Sequence, residues 1–375
     1  MTDISHDAFS PAQRKAIEIA LTHSIPFVCY ALPGTSRALF RCSASVSAPS
    51  VSGDPCNRTE STFHPDLLRI VPWNSPLASA TSIHLSTDEH ALLADPDSCN
   101  DSHGTPFQAP WQKSTPRQSY LESVRSVISS LSGNPDPDAS KVVISRVLCG
   151  SLPDFSVSRL IEIAGRAFTD RTSSFRYLLF SPAVGIWIGS TPELLADIDI
   201  PSRRLSTVAL AGTRLRSVDK PWDAKNVREQ AIVTDFILDA LSSAGCSPLA
   251  SSPRTLPYGS IEHIATDITA TLSSDDPAGI LDTLSPTPAL AGYPRVEALQ
   301  AISEVESHPR RLYGGYLALS SASRILAFVN IRCMQLDLHG NYCLYGGGGI
   351  LPDSVPEDEW DETAAKMNNL LNLLS

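Results

Sequence analysis

The sequence predicts an α+β fold in which antiparallel β-sheets are flanked by helices. Some short segments alternate apolar and polar residues as strands do, whereas others repeat apolar residues every three or four positions as amphipathic helices do. The strand-like segments 175–180 and 185–189 are separated by a short turn, and so short a connection joins antiparallel strands. The regular strand, helix and strand rhythm of a Rossmann domain is not found, which argues against a parallel sheet.

The predicted elements are spread over the whole chain, with one interruption. A helix is expected near 13–21, strands near 26–32 and 38–42, and an amphipathic helix between 120 and 131. Residues 86–117 are rich in Asp, Ser, Pro and His and predict an exposed connection. The remaining strands are expected at 141–148, 175–180, 185–189, 325–332 and 342–345, and the remaining helices at 156–168, 226–243, 295–304 and 357–374.

Composition and charge exclude several classes of protein. The 375 residues are 42% apolar and have a mean hydropathy of −0.03, which is typical of a soluble globular protein with ample material for a core. A net charge of −11 argues against nucleic acid as a partner. No run of 18 apolar residues occurs, so no membrane span is expected.

The N-terminus and the cysteines indicate the cellular setting. Residues 1–6 lack a basic and apolar signal sequence, which predicts a cytoplasmic protein. The eight cysteines show no C-x-x-C spacing, so reduced thiols are expected, with neither a zinc site nor a disulfide framework. Nothing in the sequence demands more than a monomer.

The end of the chain is the segment most informative about chemistry. A strand is expected to lead into Gly346–Gly349, whose N–H groups could approach a bound anion closely because no Cβ blocks them. Ser354 is expected to cap the next helix, with Glu357 at its third position. The loop lacks the Gly-Lys-Ser/Thr sequence of a nucleotide-binding P-loop.

Acidic residues on this last helix have two interpretations. Glu359, Glu362 and Lys366 recur at spacings of three and four, so they share one face of the helix. On this segment alone, acid near a helix N-terminus is well explained as compensation of the helix dipole on a solvated face. A metal or substrate site on that face is the alternative.

A further carboxylate favours the metal site. In the predicted helix 226–243, Glu229 falls on the face defined by apolar residues at 232, 233, 236, 237 and 240. A carboxylate on a buried face is costly unless it is paired or binds a metal. Mg²⁺ takes carboxylate oxygens together with substrate oxygens and water, so Glu229, Glu362 and Glu359 form a candidate magnesium site.

Nine short motifs follow one another along the chain. They are Lys141–Arg146, Ser190–Leu195, Leu210–Arg214, Arg228–Gln230, Ser285–Ala289, Tyr313–Gly315, Asn330–Arg332, Gly347–Ile350 and Glu359–Thr363. In this order they resemble the motifs of the chorismate-utilising enzymes, and most closely those of the isochorismate synthases. The resemblance covers about 118–375, while 1–117 fit in length and position without distinctive motifs.

The resemblance implies a fold, a reaction and a cofactor. It implies a single large domain over 1–375 with the aminodeoxychorismate synthase fold, in which Mg²⁺ binds the substrate carboxylate. The implied reaction adds water at C2 of the chorismate ring, shifts the double bonds and expels the C4 hydroxyl. Such a reaction needs one base, one acid and a clamp for the carboxylates.

Roles for individual residues also follow from the resemblance. Lys141 matches the lysine that activates water, for which it must lose its proton, and Glu193 matches the acid that protonates the departing hydroxyl. Glu229 and Glu362 match the metal ligands, with Glu359 a nearby carboxylate. The positions expected to contact substrate are Gly212 and Thr213 in a backbone turn, His263 near the ring, Ala289, Arg332, Gly347, Gly349 and Lys366. Without the resemblance, each of these has an ordinary structural explanation, such as a solvated edge for Lys141 or a satisfied core histidine for His263.

Alternatives within the family remain open at this point. Ala289 stands where anthranilate, aminodeoxychorismate and salicylate synthases commonly carry threonine, and anthranilate synthases do not keep a lysine at position 141. Ser285 and Pro309 depart from a frequent histidine and a frequent acidic residue. The runner-up activity is salicylate synthase, which makes isochorismate and then eliminates pyruvate. A catalytically silent chorismate-binding paralogue is the alternative of a different class. Whether the product would serve siderophore, salicylate or menaquinone biosynthesis is not readable from the sequence.

Overall fold

The structure, a computed structural model, describes most of the chain. The described residues are 8–43, 46–47, 66–95, 111–134, 136, 140–169, 173–216, 220–258, 261–273 and 277–375. Much of the predicted connection at 86–117 lies outside these residues.

The described residues form an α+β fold, as the sequence predicts. The helices are α1 (Pro11–Thr22), α2 (Glu89–Ala94), α3 (Arg117–Ser132), α4 (Val157–Thr169), α5 (Ala224–Ser243), α6 (Gly279–Leu284), α7 (Arg295–Val305) and α8 (Pro356–Leu374). The strands are β1 (Phe27–Ala31), β2 (Leu39–Cys42), β3 (Val46–Ser47), β4 (Leu67–Val71), β5 (Thr81–His84), β6 (Lys141–Ser151), β7 (Phe175–Ser181), β8 (Gly185–Thr191), β9 (Leu194–Asp199), β10 (Arg204–Leu215), β11 (Ser247–Ala250), β12 (Arg254–Tyr258), β13 (Ile261–Thr271), β14 (Gly292–Tyr293), β15 (Tyr316–Ser320), β16 (Arg324–Val329), β17 (Cys333–Leu336) and β18 (Asn341–Ile350).

Two antiparallel sheets contain all of these strands. The first has the order β14-β6-β18-β17-β8-β7-β1-β2, and the second has the order β11-β13-β10-β9-β16-β15-β4-β5-β3, with β12 paired to β13. The predicted hairpin of β7 and β8 is confirmed, with Phe175 opposite Thr191 and Ser181 opposite Gly185. The long pair of β6 and β18 brings Val143 opposite Gly349.

The sheets pack face to face and helices cover their outer sides. Aromatic and aliphatic side chains fill the space between the sheets, and the rings of Phe175 on β7 and Phe328 on β16 stack across it at 4.3 Å. Helices α1, α4 and α8 cover the outer face of the first sheet, whereas α5 and α6 cover the second. Both faces of each sheet are therefore covered by apolar side chains, which explains why the strands appear in the sequence as short apolar runs.

Arg146 fixes helix α8 against β6 and β18. Its Nε donates to Oγ1 of Thr363 at 2.7 Å, and its guanidinium lies 3.6 Å from the centroid of the Trp360 ring. The interaction is buried, because Arg146 is only 4% exposed. It sets the orientation of the helix face that carries Glu359, Glu362 and Lys366.

Two local predictions at the end of the chain are wrong. Gly346–Gly349 lie inside β18 rather than after it, since their backbones pair with Arg146–Val143 of β6. Ser354 does not cap α8: the N-cap is Val355, and the Ser354 hydroxyl instead donates to Glu359 Oε1 at 2.7 Å. In both cases a tertiary partner replaces the local interaction that the sequence pattern suggests.

The remaining broad predictions concern cysteines and membranes. Within the described part of the chain the cysteines are free thiols, as expected, while Cys56 and Cys99 lie outside it. The helices described here are all too short or too polar to cross a bilayer. The domain boundaries, the cytoplasmic location and the monomeric state stay predictions.

Candidate active site

A cavity opens where the two sheets meet beside α5 and α8. Its open space, which includes solvent at the mouth, is about 600 Å³. Ten of the residues expected from the sequence line it, namely Glu193, Gly212, Thr213, Glu229, His263, Ala289, Arg332, Gly347, Gly349 and Lys366. The structure therefore brings together residues that are up to 173 positions apart along the chain, from Glu193 to Lys366.

Lys141 is buried at the start of β6, beside the cavity. It is 0% exposed, and its Nζ lies 2.9 Å from Oε1 of Glu229 but without the geometry of a hydrogen bond. A solvated edge lysine, the alternative open to the sequence, is thus wrong. The charged group next to it is the carboxylate of Glu229.

Gly349 makes the approach of Lys141 and Glu229 possible. A Cβ at this position would lie 2.3 Å from Oε1 of Glu229 and 2.7 Å from Cε of Lys141. Glu229 is on the buried face of α5, as predicted, and is 7% exposed. The glycine strand thus serves to admit side chains from its neighbours as well as to present backbone groups.

Glu359 is the most buried of the three candidate metal ligands. It is 1% exposed, and its Oε1 accepts from Lys225 Nζ at 2.5 Å and from Ser354 at 2.7 Å. Its Oε2 is buried without a hydrogen-bond partner and lies against Gly348. Burial and the charge of Glu362 raise the pKa of Glu359 to about 7, against the opposing effect of Lys225.

Glu362 and Lys366 form an ion pair, and Lys366 lines the cavity. The Lys366 Nζ donates to Oε1 of Glu362 at 2.6 Å and to the Gly347 carbonyl at 2.9 Å. Burial pushes the pKa of Glu362 upwards, but the ammonium groups of Lys366 and Lys225 outweigh it and the pKa lies below its ordinary value. Glu362 is therefore a carboxylate at neutral pH.

Lys225 is the site residue that the sequence analysis missed most clearly. Burial opposes its charge, but the carboxylates of Glu359, Glu362 and Glu229 outweigh burial and raise its pKa. One lysine thus lies within electrostatic reach of all three candidate metal ligands. Its only sequence signal is a position one helical turn before Glu229 on α5.

Glu193 has the environment expected of a general acid. It lies between β8 and β9, lines the cavity and is 4% exposed. Burial raises its pKa to about 7, although Lys141, Arg332 and Lys366 act to lower it. A carboxyl with this pKa holds its proton over much of the physiological range and can still release it.

Gly212 and Thr213 lie at an irregularity of a strand rather than in the expected turn. They belong to β10, whose register against β13 shifts between Ala211 and Thr213. Gly212 has a φ of +71°, which favours glycine. The Thr213 N–H donates to Oδ1 of Asn226 at 3.0 Å, so the bulge is tied to the first turn of α5.

Arg332 lies between β16 and β17 and points one nitrogen at His263. The distance from Arg332 Nη2 to His263 Nε2 is 3.0 Å, and the guanidinium is 5.3 Å from the centroid of the Tyr258 ring. Its Nη1 is buried without a hydrogen-bond partner. Arg332 thus lines the cavity with an unused donor, which suits recognition of a carboxylate.

Ala289 and two tyrosines complete the wall of the cavity. Ala289 and Leu290 line it, and the Leu290 carbonyl accepts from buried Arg310 Nη1 at 2.8 Å. Tyr313 and Tyr345, which the sequence analysis did not assign to the site, stack there with centroids 5.4 Å apart. Their rings provide a flat apolar surface next to the charged groups.

The candidate metal ligands do not form a ready-made metal site. Among the residues that the structure describes, no group of three or more His, Cys, Asp or Glu side chains is arranged to hold a metal ion. Glu229, Glu359 and Glu362 instead each contact a lysine. Even so, the three carboxylates are hard oxygen donors of the kind that suits Mg²⁺, and Oε2 of Glu359 is buried without a hydrogen-bond partner.

Comparison with known proteins decides the family. The sequence profile described as "Chorismate binding enzyme" matches residues 73–375. The chain belongs to the chorismate-binding enzyme family. The resemblance of the nine motifs is thereby confirmed.

Named relatives and a solved structure agree with this assignment. The chain is 29% identical over 278 residues to the isochorismate synthase EntC of Escherichia coli K12, covering 70% of this chain and 68% of that protein. It is 27% identical over 288 residues to the vibriobactin-specific isochorismate synthase of Vibrio cholerae, covering 69% and 72%. The structure of MenF, the menaquinone-specific isochorismate synthase from Escherichia coli, matches 99% of this chain and 92% of that chain with a TM-score of 0.76 and 19% identity. This last likeness shows that the fold is shared.

Proposed function

We propose that the protein is an isochorismate synthase, which interconverts chorismate and isochorismate. The observation that carries the proposal is that Glu193 lines the cavity, buried at a pKa of about 7, while buried Lys141 lies beside the cavity next to Gly349. A buried acid that holds its proton near neutrality is what expulsion of a ring hydroxyl requires. The similarity to isochorismate synthases of Escherichia coli and Vibrio cholerae supports the same reaction.

The acid and the base have separate tasks in this proposal. Lys141 in its neutral form takes a proton from the water that attacks C2 of the ring. Glu193 donates its proton to the C4 hydroxyl, which leaves as water. After each turnover Lys141 carries one proton more and Glu193 one proton fewer, and proton exchange with solvent water returns both groups to their starting states. One water is added and one is released, so the reaction is a reversible isomerisation.

Cations of the cavity wall hold the two carboxylates of chorismate. Arg332 has an unpartnered buried Nη1, and Lys366 reaches the Gly347 carbonyl. Gly212, Thr213, Gly347 and Gly349 line the same space, so the substrate ring can approach the backbone closely at the glycines. Tyr313 and Tyr345 exclude water from the ring on one side.

Magnesium is the cofactor we propose for the acidic cluster. Glu229 and Glu362 would be its direct ligands, with Glu359 acting directly or through water. Bound Mg²⁺ would neutralise these carboxylates and hold a carboxylate of the substrate. The unpartnered Oε2 of Glu359 supports the proposal.

Replacement of the base tests the proposed reaction. In Lys141→Ala, we expect kcat to fall by about 10²- to 10⁴-fold, the usual contribution of a general base. The matched control is Lys15→Ala on α1, whose side chain is 63% exposed. Both variants and the wild type are incubated with chorismate and Mg²⁺, and products are followed by proton NMR. Turnover by Lys141→Ala at the wild-type rate would refute the role of Lys141.

A further inference from the structure

Both ring nitrogens of His263 are engaged by partners that fix its tautomer. Its Nδ1 lies 2.9 Å from the carbonyl oxygen of Gly212, and its Nε2 lies 3.0 Å from Nη2 of Arg332. A carbonyl can only accept, so Nδ1 carries the hydrogen. A guanidinium can only donate, so Nε2 presents its lone pair. Both contacts therefore select the same neutral ring.

The surroundings keep this ring neutral. His263 is 5% exposed on β13. Burial, followed by the positive charges of Arg332 and Lys366, lowers the pKa of His263 to about 3, while the Gly212 carbonyl and Glu229 oppose the shift. A proton on Nε2 would also face the N–H of Arg332. The ring thus stays a hydrogen-bond acceptor toward Arg332 at neutral pH.

Arg332 needs such a partner because its other restraints are weak. Its backbone has a φ of +50°, an uncommon conformation for a residue other than glycine. The Tyr258 ring restrains only the plane of the guanidinium, at 5.3 Å. Nη1 has no hydrogen-bond partner. The contact with His263 leaves that nitrogen available to the cavity.

We propose that His263 is a positioning residue that acts through Arg332, holding Nη2 so that Nη1 meets a carboxylate of the bound substrate. This inference rests on the proposed function and refines it, because the sequence places His263 near the ring without a role. In this arrangement His263 takes no proton from the substrate, since its lone pair is already occupied by Arg332.

The anchor of His263 extends to α5. The Gly212 carbonyl that holds Nδ1 belongs to the β10 bulge, and the Thr213 hydroxyl lies 3.2 Å from the same nitrogen. The bulge is fixed in turn by Asn226, which accepts from the Thr213 N–H. The arginine that binds the substrate is therefore connected to the helix that carries Glu229.

Two substitutions test whether the protein needs the hydrogen-bond acceptor of His263 or only the volume of its side chain. His263→Gln keeps an acceptor at the depth of Nε2, whereas His263→Leu removes it. We expect the dissociation constant of chorismate, measured by calorimetry with Mg²⁺ present, to rise about 10- to 100-fold in His263→Leu, as for loss of a hydrogen bond to a charged group. His263→Gln should recover most of the affinity, and KM should rise more than kcat falls.

A double-mutant cycle with Arg332→Ala decides whether the effect passes through the arginine. If His263 acts only by holding Arg332, adding His263→Leu to Arg332→Ala changes the dissociation constant by less than about twofold. Additive losses would overturn the proposal, because they would mean that His263 contacts the substrate itself.

The tautomer provides a test that needs no substrate. Nitrogen-15 NMR of the wild type, with the His263 signals assigned from His263→Gln, should show hydrogen on Nδ1 and none on Nε2 from pH 5 to 8. A ring that carries hydrogen on Nε2, or that titrates in this range, would overturn the positioning role. A wild type that shows the expected tautomer but neither binds nor converts chorismate would refute the proposed function alone.

Discussion

Substitution of one glycine should disable the site without altering the fold. A Cβ at Gly349 would lie 2.3 Å from Oε1 of Glu229, 2.9 Å from its Cδ and 2.7 Å from Cε of Lys141. Ordinary contacts between heavy atoms are about 3.5 Å, so Gly349→Ala must displace these side chains by about 1 Å. The φ of Gly349 is not among the positive values, so alanine itself meets no backbone strain.

The expected loss follows from that displacement. A shift of about 1 Å in a positioned group can lower the rate by about 10²-fold, while overpacking costs about 1 to 3 kcal/mol of stability. The control is Gly165→Ala in α4, where an added Cβ meets nothing within 4 Å. Alanine is favoured over glycine inside a helix by about 1 kcal/mol, so this variant should melt slightly higher than the wild type and keep its activity.

Initial rates with chorismate and Mg²⁺, together with melting curves, measure both effects. We expect kcat of Gly349→Ala to fall at least 100-fold while the variant remains folded. If Gly349→Ala stays within about threefold of the wild type, then Lys141 and Glu229 do not act from the positions described, and the steric reasoning is refuted.

Three further predictions concern the acid, the metal and the product. Because Glu193 must be protonated and its pKa is about 7, kcat/KM should decline above pH 7, and Glu193→Gln should lower kcat by about 10²- to 10⁴-fold and remove this dependence. The raised pKa also means that the folded protein binds this proton more tightly than the unfolded chain does. As the pH rises from 4.5 to 7, the free energy of unfolding of the wild type should therefore fall by about 3 kcal/mol, and that of Glu193→Gln should not show this fall. Mg²⁺ should raise the melting temperature, and Glu229→Gln and Glu362→Gln should each shift that titration to higher concentration; full activity after EDTA treatment would contradict the metal site. Ala289→Thr should keep isochorismate as the main product, with at most minor release of pyruvate. If this variant instead forms mainly pyruvate, position 289 alone decides between isomerisation and pyruvate elimination.

The sequence predicts the elements of this fold better than it predicts their chemistry. Period and turn signals place α5 near 226–243 and the pair of β7 and β8 within one or two residues, because these patterns depend on local propensity and burial. The prediction that the strand ends before Gly346–Gly349 was wrong, because four consecutive glycines are typical of a loop. Pairing with β6 makes them strand.

Site residues that have a local sequence signal were predicted, whereas those whose role depends on a tertiary partner were not. Glu229 was found because a carboxylate on an apolar helix face is visible in sequence. Lys225 and Asn226 were missed, since their roles depend on Glu359 and Thr213, partners that lie outside their own helix. The burial of Lys141 is also a tertiary property, because a lysine at the start of a strand has no local signal that distinguishes a core position from an edge.

The central claim is that this cavity isomerises chorismate and stops at isochorismate. Proton NMR of the purified protein with chorismate and Mg²⁺ tests it most directly, because substrate, isochorismate, salicylate, anthranilate and pyruvate give separate signals. We predict an equilibrium mixture of chorismate and isochorismate, reached from either side and unchanged by ammonium. Steady accumulation of pyruvate with salicylate beyond the spontaneous background, or chorismate left unchanged, would contradict it.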